Sequence, residues 1–165
     1  MEHLDPKQAQ EFLQKTPDAL FIDCRSEMEY LFVGHAVGAL HVSWNDGPDW
    51  EVNPHFVGQV KKLAGTNHAV RPIILICRSG NRSQEAGEEL ERHGFSRVYN
   101  VAHGFEGELN DKHQRNTTSG WRRAYVVAFR AKATVAEERR LGFTHSHNDE
   151  KTVLDSVGFA DERAK

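Results

Sequence analysis

Short aliphatic runs closed by a polar residue alternate along this chain with amphipathic stretches, a rhythm that predicts strands separated by helices. Ala19-Leu20-Phe21-Ile22 ends on Asp23, and Pro72 introduces Ile73-Ile74-Leu75-Ile76, which ends on Cys77. Unbroken apolar runs of this length suit strands buried on both faces of a parallel sheet. Ala39-Leu40-His41-Val42 and Arg97-Val98-Tyr99-Asn100-Val101 are two further strand candidates. Between them, Asp5-Pro6 reads as an N-cap and first helical residue, with Phe12 and Leu13 on the apolar side of a helix to about Lys15. Ser26-Glu27-Met28-Glu29 is a capping box, and Asn53-Pro54 opens a helix to about Ala64. Ser83 to His93 reads as a helix closed by Gly94, with Leu90 and Phe95 spaced for a Schellman contact.

This order predicts an α/β fold: an open, mainly parallel sheet of about five strands with helices on both faces. Residues 102–120 are polar and glycine-containing, and Gly120 to Ala131 is expected to be helical. The expected division is a domain over residues 1–131 and a C-terminal extension over 132–165, partly helical or mobile. In the extension, Thr134-Val135-Ala136-Glu137 is another capping box, and Val153, Leu154 and Val157 line one side of a short helix.

Length and composition narrow the class. The 165 residues suit one domain with its own core, and 38% hydrophobic and 27% charged residues are ordinary for a globular protein. A formal charge of -3 gives no reason to expect a nucleic-acid partner. The longest aliphatic run is far below a membrane span, and Met1-Glu2-His3-Leu4-Asp5 lacks a basic and apolar leader, so a cytoplasmic location is expected. Two cysteines, Cys24 and Cys77, make no disulfide framework and read as free thiols.

Candidate chemistry concentrates after the aliphatic strand. Cys77 and Asp23 each follow or end a buried strand, where open α/β sheets bind ligands, and are expected to face one crevice. The loop Cys77-Arg78-Ser79-Gly80-Asn81-Arg82-Ser83 is small, polar and cationic. Gly80 is free to take a left-handed conformation, so successive backbone N–H groups can curl round one sulfur atom. The positive end of the following helix and the charges of Arg78 and Arg82 favour thiolate over thiol. A structural cysteine at a strand end would suit an apolar loop, which this is not.

This loop resembles the active-site loop of single-domain rhodaneses. Phe21-Ile22-Asp23-Cys24-Arg25-Ser26-Glu27-Met28-Glu29-Tyr30 and Gly34-His35-Ala36-Val37-Gly38-Ala39 are similar to that family's Asp-x-Arg, Glu-Tyr and Gly-His-x-x-Gly-Ala signature. Asn100-Val101-Ala102-His103-Gly104-Phe105 is similar to its segment after the last strand. The resemblance implies ping-pong sulfur transfer through a Cys77 persulfide, from thiosulfate or a persulfide to cyanide, a small thiol or a protein thiol. It implies no metal and no organic cofactor. It makes Cys77 the nucleophile and Arg78, Ser79, Gly80, Asn81 and Arg82 the cradle. Asp23 would fix Arg82, while Arg25, Glu29, His35 and Ser83 support the strand and loop. Cys24 stands where the family usually has an aliphatic residue and reads as buried packing or a resolving thiol; Trp44 and Trp50 read as core or rim.

Two other classes stay open. Cysteine phosphatases resemble this loop but need an arginine six positions after the cysteine, where Ser83 stands; Arg82 comes one residue early, which disfavours phosphate and arsenate chemistry alike. A non-catalytic interaction module would be favoured had the cysteine been replaced. His145-Ser146-His147 lacks the companions of a metal site.

Overall fold

The computed structural model describes residues 1–125, 127 and 128. Strand β1 (Glu2–Leu4) leads into α1 (Pro6–Lys15), which Asp5 caps through the Gln8 N–H while the Gln8 side chain accepts from the Asp5 N–H. Strand β2 (Leu20–Asp23) is followed by a π-helical turn, Glu29–Val33, and by the short strands β3 (His35–Ala36) and β4 (Leu40–His41). Helix α2 (Phe56–Ala64) precedes β5 (Ile73–Ile76), α3 (Asn81–Arg92) and β6 (Val98–Val101). Helix α4 (Trp121–Ala124) and β7 (Val127–Ala128) close the described part.

Five strands form one sheet in the order β1-β6-β5-β2-β4, and every pairing in it is parallel. The central strands β2 and β5 are buried at every residue, as their unbroken aliphatic runs require. Their side chains alternate between two cores. On one face Leu20, Ile22, Ile73 and Leu75 pack with Phe56, Val60 and Ala64 of α2 and Ala86 and Leu90 of α3. On the other, Phe21, Ile74 and Ile76 pack with Ala9 of α1, Phe105 and Trp121. The expected parallel sheet with helices on both faces is therefore observed.

Helix α3 ends as its sequence predicts. Gly94 has φ +88°, its N–H reaches the Glu91 carbonyl at 3.0 Å, and the Phe95 N–H reaches the Leu90 carbonyl at 3.2 Å. The expected helix over Gly120 to Ala131 is corrected. It lasts four residues, Tyr125 turns extended, and Val127–Ala128 pair antiparallel with His35–Ala36 of β3. Pairing with a distant strand overrides local helix preference there. The boundary after residue 131, the second capping box, the apolar residues 153, 154 and 157 and the two tail histidines lie outside the described residues.

Candidate active site

Cys77 directly follows β5, and its sulfur sits inside a ring of hydrogen-bond donors. The Gly80 N–H points at Sγ from 3.1 Å, and Ser83 Oγ stands 3.2 Å away. Gly80, at φ +104°, is the left-handed residue that turns the loop back over the sulfur and opens α3. The thiol's pKa is lowered to about 5, first by a hydrogen bond from Cys24, against the opposing effect of burial, and then by Ser83 and the backbone N–H groups of Ser83 and Ser79. The sulfur is thus ionised at neutral pH chiefly by donated hydrogen bonds, with the helix start of α3 supplying some of them. Cys77 is only 1% exposed, so what reaches it must enter end-on.

The strand register explains why Cys24 is the neighbour. Asp23 and Ile76 are the last in-register pair of β2 and β5, and the Cys24 N–H continues the ladder to the Ile76 carbonyl at 2.8 Å. Cys24 and Cys77 come one residue later on adjacent strands and belong to the same core, while Ile76 belongs to the opposite one. The Cys24 thiol also lies 3.3 Å from the Ile76 carbonyl. Burial, then its hydrogen bond to Cys77, pushes its pKa well above the ordinary thiol value, so it remains protonated beside the thiolate.

The same alternation corrects the expected Asp23–Arg82 pair. Asp23 and Cys24 project from opposite faces of β2, so Asp23 does not share a crevice with Cys77. Its carboxylate is taken by Arg25, with Nε to Oδ1 at 2.9 Å and an NH2 nitrogen to Oδ2 at 2.6 Å, both residues being fully buried. Arg25 also donates to the Gly34 carbonyl at 2.7 Å and lies 4.1 Å from the Phe105 ring centroid. Arg82 instead makes a two-pronged pair with Glu29, both contacts at 2.7 Å. Burial alone would raise the Glu29 pKa, but Arg82 and the Ser26 donors hold it at about 2. The Ser26–Glu29 capping box is thereby put to a second use: the Ser26 N–H donates to Glu29 Oε2 at 3.1 Å, aiming the carboxylate at Arg82.

Behind the loop, Ser83 Oγ lies 2.6 Å from Asn100 Oδ1, and Asn100 Nδ2 donates to the Gly80 carbonyl at 3.1 Å and meets His3 Nδ1 at 3.1 Å. The Gly80 bond fixes which end of the Asn100 amide faces Ser83. The segment after β6 supports the loop from its other side: the Phe105 N–H holds the Cys77 carbonyl at 2.7 Å and the Glu106 N–H the Arg78 carbonyl at 2.9 Å. Gly104, at φ +57°, lies so close beneath that a Cβ there would overlap the Cys77 carbonyl and stand 2.7 Å from the Ser79 nitrogen.

Of the predicted loop residues, Arg78 and Asn81 are exposed, Ser79 is half-buried, and Gly80 and Ser83 are buried beside the sulfur. His35 is buried, stacked 3.7 Å from Tyr30 and bonded through Nδ1 to the Tyr30 carbonyl at 3.1 Å, a support for the turn after β2. Trp44 is buried and donates to Glu85 at 3.2 Å, while Trp50 is exposed. Asn100 and Gly104 were legible only as parts of a motif, although an amide within the apolar run of β6 was a signal. Among the described residues, no three His, Cys, Asp or Glu side chains are grouped to hold a metal ion, and no helix is long and apolar enough to cross a membrane.

Comparison with known proteins bears on the fold and the family. An uncharacterised protein of Rickettsia conorii is 28% identical over 126 residues, covering 73% of this chain and 97% of its own. Thiosulfate sulfurtransferase GlpE of Pseudomonas putida is 32% identical over 105 residues, covering 64% of this chain and 82% of its own. The crystal structure of Rv0390 from M. tuberculosis superposes with a TM-score of 0.66 at 32% identity, over 77% of this chain and 96% of that one. The model of the rhodanese-like domain matches residues 5–110, from the cap of α1 past the Gly104 support, so that a cysteine loop built on a parallel sheet places this chain in the rhodanese-like domain family.

Proposed function

We propose that this chain is a sulfurtransferase in which Cys77 takes a sulfane sulfur from thiosulfate or a related donor and passes it to a thiophilic acceptor. The thiolate attacks the outer sulfur of thiosulfate; a new S–S bond forms, the old one breaks, and its electron pair leaves with sulfite. Cyanide, a small thiol or a protein thiol then removes the outer sulfur and restores the thiolate. The observation that carries this reading is the ring of donors round Cys77 Sγ, which holds its pKa at about 5 with no acid or metal in the scheme. The same N–H groups suit a persulfide anion. A nearly covered sulfur favours donors that present a terminal sulfur end-on, and exposed Arg78 suits an anionic one.

Phosphoryl transfer is disfavoured by a particular contact: the Arg82 guanidinium is occupied by Glu29 on two prongs. A purely binding role is disfavoured by the activated thiol. Free thiols at both cysteines suit a reducing, cytoplasmic setting, and the reading calls for no nucleic acid, membrane, metal or organic cofactor. The test is thiocyanate formation from thiosulfate and cyanide, together with peptide mapping after thiosulfate alone. Cys77→Ser is expected to abolish turnover and leave no added sulfur, because a hydroxyl is not a comparable nucleophile at neutral pH. Turnover by that variant, or added sulfur mapped to Cys24, would overturn the assignment.

A further inference from the structure

The proposed transfer leaves one group beside the reacting sulfur unused. Cys24 is fully buried, shares a core with Cys77, and comes at the equivalent position on the neighbouring parallel strand. Adjacent strands run roughly 4.7–4.9 Å apart, and disulfides form with Cα atoms about 4.4–6.8 Å apart, so these two positions can be bridged with little backbone movement. The Cys24 N–H to Ile76 carbonyl bond of 2.8 Å keeps the strands paired up to the cysteines themselves. Cys24 approaches from the end of β2, while the N–H groups of Gly80 and its neighbours come from the loop that follows Cys77. Attacker and cradle therefore come from different elements and both reach the Cys77 sulfur.

We propose a second outlet for the sulfur: Cys24 resolves the Cys77 persulfide, releasing hydrosulfide and leaving a Cys24–Cys77 disulfide. This rests on the persulfide reading above. The Cys24 sulfur forms a bond to the inner sulfur of Cys77, the persulfide S–S bond breaks, and its electron pair departs with the outer sulfur. The Cys24 proton goes to that departing sulfur, so one thiol and one persulfide anion yield one disulfide and one hydrosulfide. The sulfane sulfur is reduced and the thiol pair oxidised, with no outside oxidant. A dithiol, or two equivalents of a small thiol, reopens the disulfide by exchange and returns the reduced enzyme. Burial and the hydrogen bond to Cys77 keep Cys24 protonated in the resting state, which reserves the proton for the leaving sulfide. The chain would then act as a thiol-dependent reductase of sulfane sulfur when no acceptor is present.

The experiment loads the full chain with thiosulfate under anaerobic conditions, removes excess donor, and confirms by mass that one sulfur atom resides on Cys77. Free sulfide is then followed without any acceptor, and peptides are mapped without reduction. One sulfide per loaded sulfur is expected, with a Cys24–Cys77 cross-linked peptide appearing at the same rate. Cys24→Val and Cys24→Ala remove a donor to the Cys77 thiolate and are expected to load more slowly, so they are brought to the same one-sulfur loading by longer exposure to thiosulfate. From that point they are expected to slow sulfide release by at least about ten-fold while the sulfur stays on Cys77. Two variants guard against a packing defect in one, and the wild-type cross-link decides the matter should both fail to fold. Release undiminished in the variants, release without the cross-link, or a wild-type persulfide that persists would overturn this inference and leave the transferase reading standing. Failure of Cys77 to take up sulfur would overturn that reading and this inference with it.

Discussion

At the scale of single residues, the site is a thiolate held by neutral donors more than by formal charge. Cys77 takes a hydrogen bond from the Cys24 thiol and lies within reach of the Ser83 hydroxyl and backbone N–H groups, and its pKa falls to about 5 from an ordinary 9.0. Because the folded value is depressed, ionisation favours the native state above the ordinary thiol range, and that contribution is lost as pH falls through about 5. The expected titration, read by ultraviolet thiolate absorbance with Cys77→Ser as the blank, has its midpoint near 5, and a midpoint at the ordinary thiol value would refute the account. For Arg78 the proposed role is in encounter with the donor. It is exposed, and thiosulfate brings a sulfonate whose charge grows as sulfite leaves. Arg78→Glu is expected to slow thiosulfate more than an uncharged organic persulfide at low salt, where screening is least. The ratio of the two rates is the measurement, since some loss with both donors follows from a weaker thiolate. An unchanged ratio would mean that Arg78 does not read donor charge.

At the scale of elements, what was legible in the sequence followed from how much each segment decides for itself. β5 and β2 were readable because four aliphatic residues in a row have few other uses, and the end of α3 because Gly94 and the Leu90–Phe95 spacing form a local device. β1 was not, since Glu2-His3-Leu4 becomes a strand only by pairing with Tyr99, Asn100 and Val101 of β6. The partner of Arg82 is not legible from strand ends alone, because neighbouring strands can close side by side while their last side chains point to opposite faces, and Arg82 pairs with Glu29 of the turn instead. The cysteine loop itself was fully visible; its support was half visible. Gly104 shows the difference: nothing in its neighbourhood says that it lies under the Cys77 and Arg78 peptides. Gly104→Ala is expected to destabilise the fold by on the order of 2 kcal/mol, from the left-handed backbone and the overlap together, and to reduce transfer severely. Thermal unfolding and turnover measured on one sample check this. A variant of unchanged melting temperature and activity would show that the loop does not depend on that close approach.

At the scale of the whole molecule, the residues proposed for chemistry lie between 23 and 104, and the rhodanese-like match ends at residue 110. Truncation after Gly142 is therefore expected to leave thiosulfate-to-cyanide transfer nearly unchanged, as measured by initial rates. A large loss would assign the remaining residues a part in the reaction. The two cores on either side of the sheet also divide the labour. The face with α2 and α3 carries the Cys77 thiolate, while the opposite face carries the buried Asp23–Arg25 pair that ties the turn after β2 through Gly34.

That division has a bearing on folding fidelity. A one-residue slip of β2 against β5 turns every side chain of β2 to the other face. Asp23 would then point into the core that contains the Cys77 sulfur, setting a carboxylate against a thiolate in surroundings of low polarity. That outcome is costly, because like charges repel and a buried ion has no water to turn to. The in-register pairing of Asp23 with Ile76 avoids it. The adjacent letters Asp23 and Cys24 thus proofread the alignment of the central strands: a misaligned sheet carries an electrostatic penalty that an apolar pair at the same positions would not impose.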